Sequence, residues 1–214
     1  GESFEGIYDK EYNLVYGFGY TKVLQEDEGI EKEMIIFISS YEDVKIQRIK
    51  LKNNSNATKK VKISYSIDPV MGVVKDINRN YILCKKIDNG LEFKNPYSLE
   101  FSNCIPYISV VAKSKECNVF YDEENYMVQV EIELLKDEEA EFTILLGCTE
   151  KREDIQRVIG FFDSVKAIEE EYKNTVNYWR KLVVKNMKLG NEYLEIMANG
   201  WLLYQTIVCR LFAR

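Results

Sequence analysis

The sequence predicts a mainly β fold, an antiparallel sandwich followed by C-terminal helices. Three observations carry this expectation. Apolar and polar residues alternate with a period of two up to about residue 150. No helical pattern interrupts these runs, and after Cys148 the apolar period lengthens to three and four.

The strands can be justified in order. Residues 14–25 and 30–39 read as strands. Within the first, Gly17-Phe-Gly19 is too short for a dinucleotide fingerprint and runs into a strand where a helix would be required, so its glycines mark a bulge or a close backbone approach. In Val44-Lys-Ile-Gln-Arg-Ile-Lys-Leu-Lys52 the apolar phase slips by one between Ile46 and Ile49. That slip predicts a β-bulge or a strand passing from one sheet to another. The polar run 53–60 is read as closing an antiparallel hairpin onto Val61, Ile63, Tyr65 and Ile67. Its two sequons, Asn53-Asn-Ser55 and Asn56-Ala-Thr58, are read as turn chemistry. Further strands come from 81–85, 105–112 and 118–121, from Val128, Val130, Ile132 and Leu134, and from Phe142, Ile144 and Leu146. About ten short strands without intervening helices imply a sandwich.

Beyond Cys148, residues 152–161 read as a short helix. Asp163 or Ser164 can cap a second, in which Val165, Ile168, Tyr172, Val176, Trp179 and Leu182 recur at helical spacing. The run Glu169-Glu-Glu171 lies early in that helix, where the macrodipole favours it, and is read as a solvated face with Lys173 and Arg180. A third helix starts near Asn191 and runs through Trp201 and Leu211 to Arg214. Leu194, Met197, Leu202, Leu203, Ile207, Val208 and Phe212 make it apolar on nearly every side, which calls for a surrounding helical body. The chain encodes no such body, so it is expected to be severed within a larger domain.

Composition narrows the function. A hydrophobic content of 46% supports a packed core, and a net charge of -6 lacks the basic face of a nucleic-acid binder. No run resembles a signal peptide or a membrane span. The chain has no histidine, which removes imidazole-based nucleophile systems and metal sites built on imidazole from within these residues. Cys84, Cys104, Cys117, Cys148 and Cys209 are odd in number and form no C-x-x-C pair, so they read as buried thiols of a reducing compartment. The acidic clusters Glu26-Asp-Glu28 and Asp122-Glu-Glu124 fall in apparent turns, where acidity serves solubility. Asp68 and Asp76 flank a loop and are read as turn residues. Tyr97 and Tyr107 stand in loop or strand-edge contexts where an exposed ring can stack on a sugar.

A resemblance adds to this reading. Its text is Gly17-Phe-Gly-Tyr-Thr21, Gly29-Ile-Glu31, Val44 to Ser55, Lys60-Val-Lys-Ile-Ser-Tyr65, Asn95-Pro-Tyr97, Leu145-Leu-Gly147, Tyr178-Trp179, Asn199-Gly-Trp-Leu-Leu-Tyr-Gln205 and Cys209 to Arg214. In order and spacing these motifs resemble the glycoside phosphorylases of the cellobiose and chitobiose phosphorylase type, and more closely the C-terminal region of cyclic β-1,2-glucan synthases. Where that pattern usually has His before Gly-x-Gly-Tyr-Thr, Tyr16 stands, so no role of an imidazole carries over.

The resemblance implies an architecture: a super-sandwich of the galactose-mutarotase-like type (1–150, its first strands lying upstream), a helical linker (151–188), and the first helix (189–214) of an incomplete (α/α)6 barrel. It also implies a role. The chain would be a non-catalytic sandwich and linker of a β-glucan phosphorylase or cyclic glucan synthase-like protein, shaping the substrate cleft and contributing to a homodimer. The parent would transfer glycosyl groups to inorganic phosphate, its substrate, by inverting phosphorolysis. The catalytic Asp would lie in the missing barrel domain. No catalytic residue, metal or cofactor is assigned within the chain. Trp201, Tyr204, Gln205 and Arg210 match the first-helix motif and are expected, with Tyr97, to bind carbohydrate or support its site. The expected partner is a β-glucan oligosaccharide met through the parent, with no nucleic acid. The expected location is the cytoplasm, or the cytoplasmic face of the inner membrane. The competing reading is a stand-alone oligosaccharide-binding module.

Overall fold

Alternating sequence becomes extended backbone wherever one face can be covered. A computed structural model of the chain describes residues 12–183 and 187–212, with side chains as far as Arg210. Residues 1–11 of the expected sandwich, linker residues 184–186, the side chains of Leu211 and Phe212 and the helix end at Arg214 lie outside the described residues. Eleven strands are described: β1 (Asn13–Gly17), β2 (Tyr20–Asp27), β3 (Ile30–Ile38), β4 (Val44–Asn53), β5 (Lys59–Ser66), β6 (Leu83–Ile87), β7 (Gly90–Lys94), β8 (Ile105–Val111), β9 (Asn118–Asp122), β10 (Met127–Leu134) and β11 (Glu139–Thr149). One sheet runs β1-β2-β3-β4-β11-β8-β7-β6, and the second runs β5-β10-β9. All the described strand pairs are antiparallel. The helices are the single turn α1 (Lys75–Asn78), then α2 (Arg152–Phe161), α3 (Val165–Val183), α4 (Glu192–Ile196) and α5 (Leu202–Phe212).

The large sheet is covered on both faces. Ile49, Leu51, Phe142 and Ile144 meet Val61, Ile63, Val128 and Val130 of the small sheet in the sandwich core. On the opposite face Phe37, Val44, Ile46, Tyr107 and Leu145 pack with Ile155 and Val158 of α2, Phe162 just after it and Ile168 of α3. This double cover explains the slip in β4 and corrects two expectations. β4 has no bulge, since it pairs without interruption with β3 and β11. Its apolar side chains change face because Val44 and Ile46 meet the helices while Ile49 and Leu51 meet the small sheet.

Nor do β4 and β5 form a hairpin, because they belong to different sheets. Residues 54–58 carry the chain from the large sheet to the small one, beside the return from β10 to β11. Asn53, wholly buried, joins the two crossings. Its Nδ2 donates to Ala57 O (2.8 Å), Leu134 O (3.0 Å) and Leu135 O (3.1 Å), and its Oδ1 accepts from Ser55 N (3.0 Å). An asparagine so engaged does turn chemistry, as the sequence suggested.

Other expectations also change. Residues 14–25 are two strands, joined by a two-residue turn at Phe18 and Gly19, not one strand with a bulge. β7 and the single turn α1 were not anticipated. Tyr107 is 1% exposed and belongs to the core, where burial pushes its phenol pKa well above the ordinary value.

The acidic run of α3 is only in part a solvated face: Glu170, Lys173 and Arg180 are exposed as expected, while Glu169 and Glu171 turn to the sheet. Glu171, 2% exposed, accepts through Oε1 from Ser39 Oγ (2.8 Å), Ser40 N (2.8 Å) and Ser40 Oγ (3.1 Å). Glu169 accepts from Arg48 Nη2 (2.9 Å), whose guanidinium also pairs with buried Glu141 at 2.6 and 3.0 Å. Carboxylates at this spacing dock the helix onto the β3–β4 connection and onto β4, and the burial of Glu171 is compensated by charge-assisted bonds. Ser164 rather than Asp163 starts α3, its Oγ accepting from Ala167 N (3.3 Å).

Candidate functional site

The turn between β1 and β2 places Phe18 and Gly19 against the helices. Gly19 has φ +80° and lies beneath the indole of Trp179 on α3; its N–H donates to Tyr204 Oη (3.3 Å). Phe18 reaches the C-terminal helices, its ring centroid 4.8 Å from Trp201 and 5.5 Å from Tyr204. Tyr204 closes the group against Trp179 at 5.0 Å in an edge-to-face arrangement, a geometry that suits ring quadrupoles.

The segment Asn199-Gly200-Trp201 is built for this contact. Between α4 and α5, Met197–Trp201 form a π-helical turn. Asn199 Oδ1 accepts from Met187 N (2.6 Å) and its Nδ2 donates to Met187 O (2.9 Å), fastening the incoming linker. Gly200 leaves room for Phe18, since a Cβ there would come within 2.4 Å of the ring. Asn191 caps α4 as expected, accepting from Tyr193 N and Leu194 N. The C-terminal helices thus sit on the sandwich by one aromatic face, while Tyr193, Leu194 (57% exposed), Ile196, Met197 and Leu202 (52%) remain open.

Two of the five expected site residues meet in this junction, Trp201 and Tyr204. Gln205 and Arg210 are exposed and line a shallow groove on α5 with Leu202, Thr206 and Cys209. Tyr97 lies apart, on the loop after β7, stacked on Tyr81. The junction partners Phe18 and Trp179 were not singled out as site residues. Their signals were the two glycines around Phe18, the amphipathic period through Trp179, and the places of both in the motifs Gly17-Phe-Gly-Tyr-Thr21 and Tyr178-Trp179.

The acidic clusters are engaged in structural contacts, Asp122 within its own turn and Glu28 with the start of β5. Asp122 Oδ1 accepts from Glu124 N and Asn125 N (both 3.0 Å), and Glu28 pairs with Lys59 at 3.6 Å. Asp68 pairs with Lys75. Among the described residues there is no His, Cys, Asp and Glu grouping able to hold a metal, and no helix long and apolar enough to cross a membrane.

Comparisons with known proteins bear on this geometry. The profile of the glycosyl hydrolase 94 supersandwich domain matches residues 3–126. Among solved structures, a protein from the human microbiome with a provisional kojibiose phosphorylase assignment superposes with a TM-score of 0.52 at 15% identity, over 88% of this chain and 26% of that one. At that identity the likeness shows the fold, and this chain spans about a quarter of that protein's length. Heparinase III (TM-score 0.45, 9% identity, 67% of this chain and 22% of that one) and the polysaccharide lyase BACCELL_00875 (0.43, 8%, 64% and 23%) are more distant and carry no argument. No curated protein matches in sequence.

Proposed function

The chain belongs to the glycosyl hydrolase 94 supersandwich family, and from that premise we propose that it is the non-catalytic sandwich and linker of a β-glucan phosphorylase or cyclic β-1,2-glucan synthase-like protein. Its task is to carry and orient the first helix of an (α/α)6 catalytic barrel, to wall the substrate cleft and to contribute to a homodimer. The observation that supports this most is the aromatic junction. Phe18, Trp179, Trp201 and Tyr204 seat α4 and α5 on the sandwich by one face. The open side chains of Leu194, Ile196, Met197 and Leu202 are left for neighbouring helices.

In this reading Trp201 and Tyr204 are positioning residues. They transmit the place of the sandwich to the barrel wall without touching the sugar. Gln205 and Arg210, on the open side of α5, are the groups of this segment placed to approach a ligand, by hydrogen bonds to hydroxyls or to phosphate. The acid that protonates the glycosidic oxygen and the site for the phosphate nucleophile belong to the barrel.

Incubation of the chain with β-1,2- or β-1,4-gluco-oligosaccharides and inorganic phosphate tests the proposal. No glucose 1-phosphate is expected, and sustained release of it overturns the assignment. Co-expression with a barrel from a family member is expected to yield a complex that a Trp201→Ala chain does not form.

A further inference from the structure

β6 and β7 form the outer hairpin of the large sheet, with Leu83 paired to Lys94 at its open end. Tyr81 precedes that end and Tyr97 follows it, so the two rings emerge side by side. Their centroids are 4.2 Å apart and their planes differ by 11°. Stacking does not bury them, for Tyr81 stays 42% and Tyr97 62% exposed.

Beneath the rings lies a polar network out of proportion to a surface loop. Asn95 is wholly buried; its Nδ2 donates to Met71 O (2.6 Å) and Asn78 Oδ1 (3.3 Å), and its Oδ1 accepts from Tyr97 N (3.0 Å) and Ser98 N (3.3 Å). Asn78 in turn donates from Nδ2 to Val74 O (2.7 Å). A buried amide is costly unless its bonds are made, and these bonds fix the backbone of both loops. They hold two solvent-facing rings in one place, so a ligand meets a surface whose ordering cost is already met. Asp68, Lys75, Asp76 and Arg79 bring two charges of each sign to the neighbouring segment. Lys75 bonds to Asp68 and, with Arg79 also near, holds that carboxyl below its usual range. The outer face of a ring fixed in this way, amid balanced charge, suits a neutral ligand that has an apolar face and a hydroxylated edge. A β-glucopyranose ring has both, and the π face of a tyrosine matches its apolar side.

We propose that the stacked pair Tyr81 and Tyr97, set by Asn95, is a platform that holds a neutral β-glucan chain by the face of a pyranose ring. It rests on the reading of the parent as a glucan-acting protein and adds to it a saccharide contact carried by the sandwich itself. Exposed Val73, Leu83 and Leu99 on the same segments make a second protein chain the competing occupant.

Calorimetric titration of the intact chain with cellotetraose and with a β-1,2-linked gluco-oligosaccharide tests it. Saturable binding is expected, weakened at least about tenfold by Tyr97→Ala, the loss of one ring contact. Tyr97→Phe and, elsewhere on the surface, Tyr41→Ala should bind like the native chain, while oligogalacturonate should bind no better than the neutral sugars. Near-UV circular dichroism checks that each variant folds. Should Tyr97→Ala fail to fold, sugar-induced shifts of the Tyr81 and Tyr97 ring protons in the native chain provide the readout. A flat titration, binding indifferent to Tyr97→Ala, ring protons unmoved by sugar, or self-association abolished by that variant without sugar binding overturns the platform. Glucose 1-phosphate release would instead sink the assignment of function, so the two failures are distinguishable.

Discussion

The indole of Trp179 lies over Gly19 so closely that a Cβ on Gly19 would sit 2.0 Å from its Cδ1. Contact and backbone act together, since φ +80° already disfavours any L side chain. Gly19→Ala is therefore expected to cost at least about 2 kcal/mol. Hydrogen exchange should quicken in α5, which loses its seat, while β3 and β4 stay protected. An unchanged urea midpoint would show that the turn and the helix are not coupled.

Glu171 supplies a second test of how α3 is docked. Its carboxylate accepts three bonds from Ser39 and Ser40. Glu171→Ala strands those donors in a buried place and should cost about 3 kcal/mol by denaturant titration. Glu171→Gln keeps one accepting oxygen and should cost roughly a third of that. Equal losses would mean that side-chain volume, not hydrogen bonding, is what matters.

Arg48 and Glu141 form a buried two-point ion pair, with Lys50 at 3.4 Å from Glu141 as a second cation. Removing one member leaves a buried charge. Arg48→Met is expected to destabilise by about 3 kcal/mol, toward the low end for such pairs because Lys50 remains. Arg48→Met combined with Glu141→Leu should recover most of the loss. A double variant as unstable as the sum of the two singles would refute the coupling.

Stability should fall on the alkaline side. Burial, with Glu123 and Asp122 adding, pushes the Cys84 thiol from 9.0 to about 11; burial and the neighbouring Cys104 do the same for Cys148. Burial raises the Tyr121 and Tyr172 phenols from 10.0 to about 12, Tyr20 assisting at Tyr172. Each group holds its proton in the folded state where the unfolded chain releases it. The contribution is therefore complete below pH 9 and is lost as pH rises through about 12. Thermal melts between pH 8 and pH 12 should show the midpoint dropping across that window. A flat profile would mean that these groups are open to water.

Much of the strand content could be read in advance, because a strand with one wet face leaves an alternating record, as at Val61 to Ile67 and Val128 to Leu134. β4 could not be read correctly. Its two faces are covered by different layers, so Val44 and Ile46 answer to α2 and α3 while Ile49 and Leu51 answer to the small sheet. The crossing at Asn53 looked like a hairpin because turn residues signal a reversal without saying which sheet receives the chain. Of the candidate site, Trp201 and Tyr204 were legible through the resemblance. Phe18 and Trp179 stood in its motifs without a role and Tyr81 was not singled out, since each acquires its role from a partner distant in sequence.

By itself the sequence determined the period of most segments, hence strands before residue 150 and helices after, and it determined the cap at Asn191 and narrowed that of α3 to Asp163 or Ser164. These are local properties, written in neighbouring residues. Only the tertiary structure decided that Glu169 and Glu171 are docking groups rather than a wet face, that Tyr107 is core, and that Tyr81 and Tyr97 stand together. Burial and pairing depend on what another part of the chain brings to the same place, and no local pattern encodes that.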